Sequence, residues 1–140
     1  MASREKNIKN QYARTRKDHS SEIAEDYVEA IDEIVLENGE CRLVALARRF
    51  QVSHVTANRT IARLKRDGLV ESEPYGPISL SPKGRVMAVE SKKRHAVVLE
   101  FLLAIGVPKS VAEIDSEGIE HHVSNQTLLA MKRFSESGEH

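Results

Sequence analysis

Between Leu43 and Leu64 the apolar residues recur at helical spacing in two short runs, separated only by Gln51, Val52 and Ser53. Leu43, Leu46 and Ala47 make one face of the first run, which closes at Phe50. Ala57, Ile61 and Leu64 make the face of the second, at i, i+4 and i+7. Gln51-Val52 leaves room for a tight turn alone, Ser53 offers an N-cap, and Asp67-Gly68 stops the second run. Two short helices joined in this way predict a helix-turn-helix, a motif whose second helix lies in the major groove of DNA.

The flanks complete the module. Ser20 and Ser21 are N-cap candidates for a helix carrying Ile23, Tyr27, Ile31, Ile34 and Val35, which Asn38-Gly39 ends, so a helix is predicted near 21–37. After Gly68, Leu69-Val70-Glu71-Ser72 alternates as a strand does, Pro74-Tyr75-Gly76-Pro77 turns, and Ile78-Ser79-Leu80 returns. This small hairpin is a wing. Ser81-Pro82 starts a long helix, with Ser at the N-cap and Pro at N1, whose apolar positions continue to Gly106. Val107-Pro108 breaks it, and further helices are predicted around Lys109 to Glu113, from Glu117 to Val123, and from Ser124 to near Ser137. The expected architecture is mainly α: a winged helix-turn-helix over 21–81, a connecting helix over 82–106 and a helical half over 107–140.

Charge is balanced in sum, with 21 Lys and Arg against 21 Asp and Glu in 140 residues, but it is sorted along the chain. Residues 1–20 hold six basic side chains and little apolar periodicity, which predicts a disordered basic arm. Residues 21–40 hold eight acids and no Lys or Arg; residues 41–70 hold seven Lys or Arg and the single acid Asp67. That basic block coincides with the helix-turn-helix, so double-stranded DNA is the expected partner. Ser53, His54, Thr56 and Arg59, at the start of the second helix, are the candidates for base edges; Arg63, Lys65 and Arg66 are those for phosphates. A chain of this length excludes a large multidomain enzyme, and no apolar run approaches the ~20 residues that span a bilayer. A cytoplasmic protein without a membrane partner is expected. The lone Cys41 excludes an intrachain disulfide or a CxxC knuckle and is expected to be a reduced, half-buried thiol.

Asp115-Ser-Glu-Gly-Ile-Glu-His-His122 is the densest cluster of ligand-type side chains. Glu117, Glu120 and His121, at i, i+3 and i+4, would aim two carboxylates and an imidazole in one direction from one helical turn. Asp26 and Glu29 stand at i and i+3 on the first helix, and His95 lies in the long one. Taken singly, each has an ordinary reading as solvated helix surface or a packed histidine. Together they form a hard oxygen and imidazole set suited to a divalent cation. Two other readings stand beside it: a metal-independent winged-helix regulator, and an enzyme with a carboxylate-bridged metal pair. The absence of a Glu-x-x-His repeat on paired helices weighs against the enzyme.

Over 21–137 the chain resembles the diphtheria toxin repressor family of metalloregulators, and within it the short manganese-responsive members. Glu117-Gly-Ile-Glu-His-His122 after Asp115 carries the likeness most specifically, supported by Glu25-Asp-Tyr-Val-Glu29, Arg94-His95 and Leu103-x-x-x-Val107. The resemblance implies Asp26, Glu29, His95, Glu117, Glu120 and His121 as ligands for one or two Mn2+ per protomer, with Fe2+ as the alternative. Iron regulators of this family place sulfur where Asp26 and Glu117 stand here, and the all-hard set favours manganese. Also implied are a C-terminal helical dimerisation and metal-binding domain without an SH3-like third domain, and a homodimer binding a palindromic operator. The implied role is repression of manganese uptake genes, with no enzyme activity and no organic substrate. Two departures stand out: His54-Val55 occurs where similar regulators often have a proline, and Tyr75-Gly76-Pro77 where they often have a wing-tip arginine.

Overall fold

The computed structural model describes residues 2–138. Among these, the element order is α1 (Ala2–Asn38), α2 (Leu43–Phe50), α3 (His54–Arg66), β1 (Val70–Ser72), β2 (Ile78–Leu80), α4 (Pro82–Ala104), α5 (Lys109–Ile119) and α6 (Asn125–Ser137). The chain divides into two compact units, one of residues 24–91 and one of the described residues in 1–23 and 92–140.

In the 24–91 unit the apolar faces read from spacing are largely buried, although Val35 and Leu43 are only half-buried and Val28, outside the faces read, is buried with them. Tyr27, Val28, Ile31 and Ile34 of α1, Leu46 and Ala47 of α2, and Ala57, Ile61 and Leu64 of α3 are all buried. The rings of Tyr27 and Phe50 stack at 4.2 Å, fixing α1 against the end of α2. Gln51 takes a left-handed conformation (φ 53°) as the C-cap of α2, which turns the chain sharply enough for Ser53 to open α3 two residues later. Ser53 Oγ accepts the Thr56 N–H at 3.1 Å, satisfying one of the donors left open at the helix start. The antiparallel hairpin pairs Val70 with Leu80 and Ser72 with Ile78, and the Ile78 N–H donates to the Cys41 carbonyl at 2.7 Å. Gly84 lies so close to the preceding segment that a Cβ there would sit 2.0 Å from the Leu69 carbonyl oxygen. The first turn of α4 therefore packs directly on backbone at the start of the wing.

In the second unit Val98 and Leu102 of α4, Ala112 of α5 and Leu128 of α6 form the buried cluster, with Phe101, Ile119 and Met131 among those packed against it. Phe101 and Phe134 meet edge to face at 5.6 Å. Gly106 (φ 100°) and Pro108 separate α4 from α5, and Ser124 caps α6 by accepting the Thr127 N–H at 3.2 Å.

Three expectations need correction. Helix α1 begins at Ala2, so residues 2–20 are helical rather than a disordered arm. They contain no Gly or Pro, are rich in Arg and Lys, and place Glu5 four residues before Lys9, all of which favour helix without an apolar face. A single helix α5 replaces the two predicted between 109 and 123; it ends at Ile119, and Glu120 to Val123 form a turn. Cys41 is fully rather than half buried.

Candidate metal centre

The second unit brings together residues far apart in sequence. His95 projects from the middle of α4, Glu117 from the last turn of α5, and Glu120 is the C-cap of α5. Glu120 keeps right-handed helical dihedrals, and the N–H groups of His121 and His122 donate to the carbonyls of Gly118 and Ile119 in tighter, three-residue turns. The helical direction thus continues past Ile119, so Glu117 and Glu120 still share a side although only the first lies within the helix.

His95 Nδ1 stands 2.9 Å from Oε2 of Glu120 and 3.8 Å from Oε1 of Glu117. One ligand atom from each of the three lies within 4.8 Å of the others, the spacing of donors around one shared cation. The cluster is graded from closed to open: the Glu120 side chain is 0% exposed, that of His95 28% and that of Glu117 62%. Nδ1 of His95 is shielded from solvent and has no hydrogen bond of acceptable geometry to either carboxylate. A carboxylate enclosed to this degree is costly unless positive charge faces it, and the ring nitrogen of His95 beside it is a further donor that a cation could share. Oxygen and imidazole donors of this kind fit a hard or borderline divalent ion, and none of the three is a sulfur ligand.

His121 is buried, its Nε2 3.3 Å from Oε1 of Glu120. Asp26 and Glu29 lie one turn apart on α1 in the 24–91 unit, both partly buried. Two residues passed over in the sequence lie in the second unit beside His121: Glu22, with a carboxylate oxygen within 4.8 Å of a His121 ring nitrogen, and His122, whose Nε2 is 3.2 Å from Oε2 of Glu22. Glu22 stands one turn before Asp26 on α1, a spacing that could have flagged it.

Cys41 takes no part. Burial pushes its thiol up to about 11, against a smaller lowering by the Arg49 guanidinium, so it is a neutral, enclosed group at physiological pH.

On α3 of the other unit, His54, Thr56, Arg59 and Arg63 are exposed opposite the buried Ala57, Ile61 and Leu64. Ser53 is exposed too, but its hydroxyl is engaged as the helix cap. Lys65, expected at phosphates, donates from Nζ to the Ser72 carbonyl at 2.7 Å and so ties α3 to the wing. Arg49 is paired with Glu33 on α1, and Arg42 with Glu40 at 2.9 Å. The acidic and basic blocks thus neutralise each other in part, and the Arg59 to Arg66 end keeps the basic character.

Two protein-family models match the chain: the iron dependent repressor N-terminal DNA binding domain over residues 19–78, and the iron dependent repressor metal binding and dimerisation domain over 81–140. The transcriptional regulator MntR of Salmonella typhimurium is 39% identical over 125 residues, covering 89% of this chain and 80% of that protein. The MntR of Escherichia coli O6:H1 is 40% identical over 125 residues, with 89% and 81% covered. Among solved structures, a manganese-dependent transcriptional repressor in complex with manganese aligns with a TM-score of 0.69 and 26% identity, over 81% of this chain and 52% of that one. IdeR of T. acidophilum aligns with a TM-score of 0.64 and 28% identity, over 76% of this chain and 51% of that one. The chain spans about half the length of these two structures.

Proposed function

The chain belongs to the iron dependent repressor family of transcriptional regulators, and from that premise we propose that it is a manganese-responsive repressor that binds operator DNA as a homodimer when loaded with metal. The observation that carries the ion is the His95, Glu117 and Glu120 cluster, where a fully enclosed carboxylate faces an imidazole nitrogen within 4.8 Å of a second carboxylate. A divalent cation held there would bring two carboxylates and an imidazole onto one positive charge. Its donors are all oxygen or imidazole nitrogen, which suits Mn2+ and gives softer ions no thiolate. The relatives named MntR point the same way.

His95, Glu117 and Glu120 are the core of the proposed ligand set, which Asp26, Glu29 and His121 complete for one or two ions per protomer. Glu120 and His121 are enclosed and hold their positions before metal arrives; Glu117, open to solvent, is the side chain that closes last. Asp26 and Glu29 belong to the DNA-binding segment of the chain and the others to the second half. Loading therefore restricts the orientations that the DNA-binding segment samples, and DNA affinity changes by the difference in metal affinity between those states. The α3 residues His54, Thr56 and Arg59 read base edges, with Arg63 and Arg66 on phosphates. Ser53 serves that surface by starting α3 where it does.

The dimer has its own support in the second unit. Ile114, Leu129 and Ile105 remain 73%, 52% and 51% exposed around a small core, apolar surface of the kind that a two-fold contact covers.

The test is Mn2+ binding followed by the loss of the free-ion electron paramagnetic resonance signal. Wild type should take up Mn2+, and His95→Ala should weaken uptake by about 100-fold while keeping its helical circular dichroism. Uptake by His95→Ala at wild-type affinity would refute the site. Preferential binding of Fe2+ under anaerobic competition would assign the same site to iron.

A further inference from the structure

The tip of the wing carries a side chain in a place that folding alone does not explain. Residues 73–76 form a tight turn closed by the Gly76 N–H on the Glu73 carbonyl at 2.9 Å, with Pro74 at its second position and Tyr75, at φ 61°, at its third. A turn of this pattern calls for glycine at the third position, since the left-handed region crowds any Cβ. Here the glycine comes one residue late, and a bulky aromatic stands in its slot. The ring gains nothing from packing in return: Tyr75 is 103% exposed, the most exposed of the large hydrophobic residues described.

Around this residue the backbone is braced. Arg42 Nη1 donates to the Tyr75 carbonyl at 3.2 Å, Lys65 Nζ to the Ser72 carbonyl at 2.7 Å, and the Ile78 N–H to the Cys41 carbonyl at 2.7 Å. Two of the braces reach the start of α2 and one the last turn of α3. The backbone that carries the ring is therefore held at a fixed offset from the helix read as the DNA-binding one. Strain kept in place by surrounding bonds, on a side chain given wholly to solvent, is the pattern of a contact residue.

The chemistry of the tip restricts what it contacts. From Asp67 to Pro82 the chain has no Lys or Arg, while Glu71 and Glu73 flank the turn, so this wing is no phosphate clamp. What it offers a duplex is a flat apolar ring with one hydroxyl. We propose that Tyr75 is a DNA-contacting residue of the wing, its ring lying against deoxyribose edges in the minor groove beside the α3 half-site and its hydroxyl facing the acceptors on the groove floor. This rests on the reading of α3 as the DNA-binding helix.

The test uses full-length, Mn2+-loaded protein and a duplex that the wild type itself selects from a randomised pool, with Tyr75→Gly and Tyr75→Phe as variants. Tyr75→Gly should weaken binding by about tenfold. It should leave the slope of log affinity against log salt unchanged, because no counterion-releasing charge is lost. Its melting temperature should rise by about 4 °C, since glycine accepts φ 61° without strain. Tyr75→Phe should keep most of the affinity. Netropsin, which fills the minor groove, should bring the wild type down to the Tyr75→Gly level and leave that variant little changed. Wild-type affinity in Tyr75→Gly, or a lowered melting temperature, would overturn the proposal and leave the repressor reading standing. Failure of the wild type to select any duplex would overturn both.

Discussion

At the scale of single residues, the account turns on what enclosed polar groups do. Glu120 is buried with no exposed side-chain surface, between the imidazoles of His95 and His121 and beside the Glu117 carboxylate. Replacing it by the neutral isostere should therefore separate metal binding from folding. Glu120→Gln should lower Mn2+ affinity by about 100-fold, read by calorimetry, while changing the urea unfolding of the metal-free protein by no more than about 1 kcal/mol. A variant that loses several kcal/mol of stability and keeps its affinity would show the carboxylate to be structural. Cys41 gives a second prediction. Its thiol rises from an ordinary 9.0 to about 11, so the fold favours the neutral form. That contribution is complete below pH 9 and is lost as pH climbs toward 11, so stability should fall across this window and Cys41→Ala should flatten the fall. Glu117, Glu120 and His121 were legible because they crowd into one short segment of sequence. The one-turn spacing of Glu22 from Asp26 was available, but its contact with His122 joins positions 100 residues apart, which no local spacing encodes.

At the scale of elements, local rules and long-range packing divided the work. The boundaries of α2, α3, α6 and the hairpin follow from caps, apolar spacing and turn residues, all of which act within a few positions. Ser53 shows this: its hydroxyl accepts the Thr56 N–H as the sequence required, and Ser53→Ala should cost about 1 kcal/mol of unfolding free energy with Mn2+ affinity unchanged. The start of α1 was misread because residues 2–20 lack an apolar stripe, and helix propensity without amphipathicity resembles disorder in the pattern. The extent of α5 was misread because Ile114, Asp115 and Ser116 read as a break between two predicted helices, whereas one helix runs through them from Lys109 to Ile119. Gly84 marks what pattern cannot reach. Its need for glycine comes from the Leu69 carbonyl, fifteen residues earlier, where an added methyl would sit 2.0 Å away. Gly84→Ala should cost about 3 kcal/mol in chemical unfolding; an unchanged midpoint would mean that α4 does not pack on the wing as described.

At the scale of the whole molecule, a helix-turn-helix and a set of candidate metal ligands occur in different segments of one chain, and the two family domains matched over 19–78 and 81–140 correspond to those segments. Charge supports the connection. The acids of 21–40 and the cluster at 115–120 lie in a chain of zero net charge, so a bound divalent ion shifts the balance toward the sign that DNA requires. The central claim is that metal occupancy controls DNA affinity, and the most direct measurement titrates metal-stripped protein against its selected duplex by fluorescence anisotropy, with Mn2+, with Mn2+ plus a chelator, and with neither. The account predicts affinity at least about tenfold tighter with Mn2+, abolished by the chelator, and absent in His95→Ala at the same Mn2+ concentration. Equal affinity under all three conditions would contradict it, leaving a winged-helix DNA-binding protein whose His95, Glu117 and Glu120 cluster has no part in regulation.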